Sequence, residues 1–319
     1  MEILKVKNLK TYFEIGKEKF KAVDDVSFSL NEGESLGLVG ESGCGKTTTA
    51  LSIMRLIPKN GWIADGEILY KGMDLTKKSI EDIRKFRWKE ISIIFQGAMN
   101  ALNPVLTVGE QIKEAILLHE KISVTECKKR VLELFDMVEI DKKRVTRYPH
   151  EFSGGMKQRV MIAMALSLKP KIIIGDEPTT ALDVMVQAQI FDLIERLKNE
   201  LNMSMILITH DLSIIAENCQ HTAIMYGGKI LERGKTNEIC EKPMNPYTKL
   251  LLESFPDLDK EKHMPSSIPG YPPDLTNPPA GCRFHPRCPI ADGICASVEP
   301  KPCYISDTHS YSCHKGGAL

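Results

Sequence analysis

The chain has 319 residues, enough to bury a sizeable core, and its apolar and charged shares of 42% and 26% are ordinary for a globular protein. Basic and acidic residues balance at 42 each, which excludes the global positive field of a general nucleic-acid binder. The start, MEILKVKNLKTYF, lacks the signal-peptide pattern, and no apolar run of roughly 18 or more residues occurs, so a cytoplasmic chain that does not itself span a membrane is expected. In that compartment clustered cysteines are metal ligands more often than disulfides.

In chain order, VSFSL (26–30) alternates at period two, as a half-exposed strand does. SLGLVG (35–40), ISIIF (91–95), KIIIG (171–175) and MSMILIT (203–209) are short apolar runs suited to strands buried on both faces of a parallel sheet. Helical spacing is clearest over 123–138 and 181–200. HTAIMYGGKILERG (221–234) reads as a hairpin turning at Gly227-Gly228. Beyond about residue 255, Pro256, Pro265, Pro269, Pro272, Pro273, Pro278 and Pro279 predict a mostly extended, irregular segment leading into a cysteine-rich end.

GESGCGKT (40–47) fits G-x-x-x-x-G-K-[ST] with an apolar strand before it and a helical stretch after it. Such a loop turns backbone N–H groups toward phosphate oxygens, and the helix N-terminus adds a favourable dipole. The nucleotide-binding set read here is Gly40, Ser42, Gly43, Cys44, Gly45, Lys46, Thr47 and Thr48. Lys46 is expected to reach the β- and γ-phosphates, and the Thr47 hydroxyl to bind Mg²⁺. Cys44, beside Lys46 and a helix start, is read mainly as a small tolerated residue; an acidified, oxidation-sensitive thiol is the other option. IIIGDEP (172–178) brings Asp176 and Glu177 to a strand end, the first for the Mg²⁺ shell and the second as general base for water. An Asp–Glu pair there also serves as a plain helix-start charge pair; the phosphate loop favours catalysis. In FSGGMKQRV (152–160), Ser153, Gly154 and Gly155 open a helix whose free N–H groups suit a second phosphate site.

This combination resembles the ATP-binding subunits of ABC transporters, over nearly the whole chain. The resemblance implies an α/β phosphate-loop NTPase core with an antiparallel β subdomain and a helical subdomain at about 97–160. It implies that Ser153–Gly155 close over ATP held by a partner subunit, and that Asp183 of ALD (181–183) crosses that interface. Gln96 in IIFQGAMNALNP looks like the glutamine that senses Mg²⁺ and the attacking water, and His210 in LITHD like the switch histidine at the γ-phosphate. An early aromatic should stack on adenine, with Phe13 first and Tyr12 second. Met156 replaces the usual signature glutamine and Gly175 a usually larger residue, but Glu177 and His210 indicate a hydrolytic site.

NPYTKLLLESFP (245–256) and IPGYPPDLTNPPAGCRFHPRCPIADGIC (268–295) resemble, more narrowly, the C-terminal extension of the dipeptide/oligopeptide/nickel importers. The domain reading is thus 1–244 for the ATPase and 245–319 for a Cys/Pro-rich extension. Cys282, Cys288, Cys295 and Cys313 fall at family positions, which implies a 4Fe–4S cluster. Spacing alone leaves zinc, disulfides or free thiols open, and Cys303 is an alternative fourth ligand. A metal staple would order a segment too poor in apolar residues to fold alone.

The function implied is ATP hydrolysis, with ATP and Mg²⁺, driving import of dipeptides or oligopeptides, or of nickel or a metal chelate. The expected partners are a second ATPase subunit (the same or a different chain), two membrane-spanning subunits and, indirectly, an extracytoplasmic substrate-binding protein. No nucleic acid is expected, and the location is peripheral, on the cytoplasmic face of the membrane. A soluble ABC-type ATPase of DNA repair or translation is the rival class. Such chains carry long coiled coils or two fused cassettes, and neither occurs here. An iron–sulfur enzyme using ATP as an auxiliary is the other rival, and the tail offers it no evident substrate-pocket residues beyond the cysteines.

Overall fold

The computed structural model describes residues 1–97, 101–180, 182–254 and 267–317. Pro256, Pro265 and residues 98–100, where the helical subdomain was expected to begin, lie outside the described residues. The chain divides into two compact units, Met1–Lys78 with Leu207–Leu319, and Ser79–Ile206.

In the first unit, β1 (Glu2–Ile15) and β2 (Glu18–Asn31) form a long antiparallel hairpin. Period-two alternation sends Leu4 and Val6 of one strand and Val26 and Phe28 of the other into the core, and register shifts next to Leu9 change the phase so that Leu9 and Val23 are buried too. β3 (Ser35–Val39) is buried at all five residues and leads through the phosphate loop into α1 (Lys46–Ile53). β4 (Gly61–Tyr70) pairs antiparallel with β1 and with the short β5 (Met73–Asp74). The resulting order, β2-β1-β4-β5, is the expected antiparallel subdomain.

The second unit begins with α2 (Ile80–Phe86) and β6 (Ile91–Ile94). Three helices follow, α3 (Val108–His119), α4 (Val124–Met137) and α5 (Gly154–Leu166). Thr107 and Glu110 form a capping box at α3, and Ser123 caps α4 by accepting from Glu126 N–H, so each helix start has a local partner for a free N–H group. Ile112 and Ile116 of α3, Phe135 of α4 and Ile162 of α5 are buried where these helices pack. β7 (Ile172–Asp176) runs parallel to β6 in the register Ile91↔Ile172 to Ile94↔Gly175, and α6 (Val184–Glu200) follows it.

β8 (Ser204–Thr209) returns the chain to the first unit, followed by α7 (Leu212–Asn218) and by β9 (His221–Tyr226), which is parallel to β3. β9 and β10 (Lys229–Lys235) form the expected hairpin, with Gly227 and Gly228 at φ of 53° and 81°. α8 (Thr236–Glu241) and α9 (Pro246–Glu253) follow. Residues 267–281 contain neither helix nor strand, in line with their prolines.

The end of the chain is more regular than its sequence suggests. It forms α10 (Gly293–Ser297), β11 (Pro302–Tyr304) and β12 (Ser310–Ser312), and β12 pairs with the edge of β10, giving the order β11-β12-β10-β9-β3 in this unit. These strands are three residues long, so no periodicity marks them; an existing strand edge supplies their hydrogen bonds. The segment also shares the core of the unit. The buried rings of Tyr226, Tyr247 and Phe284 meet with centroids 4.7–5.2 Å apart.

A second anchor is polar. The wholly buried Glu232 of β10 accepts from the backbone N–H groups of Met244 and Asn245 at 2.8 and 3.0 Å and lies 2.9 Å from His309 Nε2. Glu232→Ala strands those donors in the interior and is expected to lower stability by about 3 kcal/mol. Chemical denaturation measures that loss, and limited proteolysis should show earlier cleavage after residue 244.

Candidate nucleotide-binding site

The phosphate loop is shaped by how closely other backbone approaches it. Gly40 has φ 154°, and a Cβ there would sit 2.0 Å from the Met225 carbonyl oxygen. Gly45 has φ 107°, and a Cβ there would sit 2.3 Å from the Ala22 carbonyl oxygen. Only glycine fits at either point. Gly228 N–H donates to Cys44 O at 2.9 Å, so the β9–β10 turn also holds the loop by a hydrogen bond. α1 is tied to β1 through Thr11 and Ser52, whose hydroxyls lie 2.8 Å apart.

Lys46 is buried, and its Nζ donates to Gly40 O at 2.5 Å and Glu41 O at 3.0 Å, with Cys44 Sγ at 3.7 Å. Ser42, Gly43 and Thr47 are exposed and Thr48 is half-buried, so this side of the loop faces outward. Burial pushes the Cys44 thiol up despite the Lys46 charge. The acidified, oxidation-sensitive option is therefore corrected: desolvation outweighs the ammonium.

Tyr12 and Phe13 are both half-buried. The Tyr12 hydroxyl donates to Asp24 Oδ1 at 2.8 Å; burial and this bond push its pKa up to about 12. Its ring meets Trp62 edge-on at 6.3 Å. Burial pushes the Asp24 carboxyl up, but the Tyr12 bond and the Arg283 guanidinium outweigh it and hold the group below its usual range. The Phe13 ring packs against Gly61 of β4. His210 is exposed just after β8, followed by Asp211, which caps α7.

The other candidate residues belong to the second unit. Asp176 ends β7, 1% exposed. Glu177 follows in a left-handed conformation, φ 46°, which costs an L-residue about 1–3 kcal/mol. Its Oε2 accepts from Gln96 Nε2 at 2.7 Å and from Thr180 Oγ1 at 3.2 Å, so two residues 81 positions apart meet. Ser153 caps α5, its hydroxyl accepting from Met156 N–H at 3.4 Å. A Cβ on Gly155 would fall 2.7 Å from Val186 Cγ1 in the first turn of α6. Asp183 caps α6 through Val186 N–H at 3.0 Å. Gly154 opens α5 directly after its cap.

Cys282, Cys288, Cys295 and Cys313 line one pocket in the C-terminal segment, while Cys303 lies exposed on β11 outside it. Burial, with the neighbouring thiols, raises Cys282 to about 11 and pushes Cys288 and Cys313 up as well. Among the described residues no group of three or more His, Cys, Asp or Glu side chains is gathered as a metal site.

Sequence reasoning passed over Glu41, Tyr247 and Arg287, all of which touch the phosphate loop or belong to it. The available signal was the pair of arginines inside CRFHPRC, each placed beside a cysteine.

A phosphate loop between a buried parallel strand and a helix, in a chain that also carries a strand-end Asp–Glu pair, defines the phosphate-loop nucleotide hydrolases. Residues 23–180 match the ABC transporter family model, and residues 231–295 match the model for the oligopeptide/dipeptide transporter C-terminal region. The chain is 46% identical over 315 residues to the dipeptide transport ATP-binding protein of Bacillus subtilis, covering 98% of this chain and 94% of that protein. It is 47% identical over 312 residues to the oligopeptide transport ATP-binding protein of the same organism, covering 96% and 87%. A solved dimeric ATP-binding cassette in a post-hydrolysis state with ADP and phosphate matches with a TM-score of 0.66 at 29% identity, over 73% of this chain and 99% of that one. This chain belongs to the ATP-hydrolysing ABC transporter ATP-binding proteins, in their oligopeptide/dipeptide group.

Because Cys44 is buried with its thiol pushed up, it should resist iodoacetamide at pH 8 in the folded chain and react on denaturation. Mass spectrometry of the alkylated peptide containing residue 44 checks this; rapid labelling of the native chain contradicts it.

Proposed function

We propose that this chain is the ATPase subunit that powers import of dipeptides or oligopeptides through a membrane ABC transporter. The observation that carries the hydrolytic part is the Gln96–Glu177 hydrogen bond of 2.7 Å at the end of β7. It holds the candidate base in one orientation, at a backbone position strained into the left-handed region. Lys46 and the loop N–H groups bind phosphate, Thr47, Asp176 and Gln96 offer oxygen donors suited to Mg²⁺, and His210 contacts the γ-phosphate. Phe13 stacks on adenine; Tyr12, whose hydroxyl is committed to Asp24, is second. The peptide assignment is supported by the match over 231–295 and by dipeptide and oligopeptide relatives at 46–47% identity, which favour it over nickel or a metal chelate.

In this reading residues 1–244 are the ATPase domain, with the helical subdomain at about 97–160, and residues 245–319 are the Cys/Pro-rich extension. Two ATPase subunits sandwich ATP between the phosphate loop of one and Ser153, Gly154, Gly155 and Asp183 of the other; the dimeric solved cassette supports such pairing. Two membrane-spanning subunits carry the motion, an extracytoplasmic binding protein delivers the peptide, and the ATPase sits on the cytoplasmic face. No helix among the described residues is long and apolar enough to cross a membrane, which fits a peripheral subunit.

Cys282, Cys288, Cys295 and Cys313 are the proposed ligands of a 4Fe–4S cluster. The donor set fits in kind: four thiols line one pocket. Such a cluster would staple four separated points of the segment together. Because three of these thiols are held protonated by burial, loading must release protons.

Glu177→Gln should keep ATP binding, lower kcat by at least about 100-fold and trap a closed dimer, since it removes the base and leaves the phosphate site. Steady-state turnover and size-exclusion chromatography with ATP read both effects, and normal turnover overturns the role of Glu177. Anaerobically purified chain should hold about four iron and four sulfide, with a broad band near 400 nm, lost in Cys313→Ser and kept in Cys303→Ser. Zinc, or no metal, overturns the cluster and leaves the ATPase reading standing.

A further inference from the structure

Two residues beyond 240, Tyr247 and Arg287, hold the phosphate loop at Glu41. The Arg287 side chain is 4% exposed, and its guanidinium forks onto the Glu41 carboxylate, Nη1 to Oε2 at 2.6 Å and Nη2 to Oε1 at 3.0 Å. Its other donors go to Pro269 O at 2.7 Å, Ile268 O at 3.3 Å and the Tyr226 hydroxyl at 3.3 Å. The guanidinium therefore has little freedom to move. Glu41 is also held from its backbone, because its N–H donates to the Tyr247 hydroxyl of α9 at 3.0 Å. Tyr226 and Tyr247 belong to the buried aromatic cluster with Phe284, three residues before Arg287. Glu41 is thus pinned at both its side chain and its amide.

Glu41 lies between Gly40 and Ser42, inside a loop that must accept a polyanion. A carboxylate there opposes phosphate unless its charge is matched, and a two-toothed arginine contact matches both the charge and the direction. Removing one member of a largely desolvated pair leaves the other charge uncompensated, which costs far more than the pair contributes.

We propose that Arg287 is a positioning residue for ATP binding: by neutralising and orienting Glu41 it sets the charge and shape of the phosphate loop, so that the C-terminal segment governs the nucleotide affinity of the ATPase domain. This rests on the ATPase reading above and adds a control on that same site. Arg287 touches no nucleotide; it acts through Glu41.

The test uses the full-length chain, with equilibrium binding of a fluorescent ATP analogue in Mg²⁺ and steady-state ATPase rates. Arg287→Ala should weaken binding about tenfold, with a KM change larger than any change in kcat. Arg287→Lys, which keeps the charge but loses the fork, should weaken it about threefold, and it remains informative if the alanine variant does not fold. The decisive variant is the double one, Glu41→Gln with Arg287→Ala. With no carboxylate left uncompensated, its affinity should return to within about threefold of wild type. A merely structural Arg287 gives no such rescue, so a double variant as weak as Arg287→Ala overturns the proposal. Wild-type affinity in both single variants overturns it too. A wild-type chain that binds no nucleotide overturns the ATPase reading, and this inference falls with it.

Discussion

The turn at Gly227–Gly228 carries the first unit. Gly228 N–H holds Cys44 O of the phosphate loop at 2.9 Å, Gly228 O accepts from Asp24 N–H at 2.8 Å, and Gly227 O accepts from Arg283. One two-residue turn therefore joins β2, the phosphate loop and the C-terminal segment through backbone groups, which have fixed directions and no rotamers to lose. The close approaches at Gly40 and Gly45 follow from the same crowding, because the Met225 and Ala22 carbonyls occupy the space of a Cβ. The loop has its shape because its neighbours leave it no other.

The C-terminal segment solves a different problem. It is rich in proline and short of apolar residues, so it cannot form a core alone. It instead completes the core of the unit with Phe284, adds β12 to the β10 edge, and seats polar and charged groups on partners supplied by earlier parts of the chain: Arg283 on Asp24, Arg287 on Glu41, His309 on Glu232. Buried ion pairs such as the two arginine contacts contribute little net stability when intact and cost heavily when broken. They make the position of the segment specific. That specificity gives the segment a mechanical hold on the phosphate loop, and the residue next to Arg287, Cys288, lines the cysteine pocket.

In the second unit the candidate site residues double as structural ones. Ser153 and Asp183 are helix caps, satisfying N–H groups at the starts of α5 and α6, and Glu177 sits in a strained turn that Thr180 and Gln96 hold together. A residue held by its cap or its turn is presented in one orientation before any ligand arrives, which is the preorganisation phosphoryl transfer requires.

Much of this was legible in the sequence because its causes are local. Apolar runs located β3, β6, β7 and β8, period-two alternation located β2, adjacent glycines marked the 227–228 turn, and the loop motif with its flanking strand located the phosphate site. The hydrogen bond of Gln96 to Glu177 was announced by no spacing along the chain; the family resemblance pointed to Gln96 only as a sensor of Mg²⁺ and water. The rest depends on what lies opposite a residue in space. Only the fold decided that Cys313 lines the pocket with the other three cysteines while Cys303 points to solvent, and that burial overrides Lys46 at Cys44. Only the fold joined Arg287 to Glu41 across 246 positions. Periodicity and turn chemistry are written in neighbouring residues; desolvation and charge pairing arise only when distant segments pack and water is removed between them.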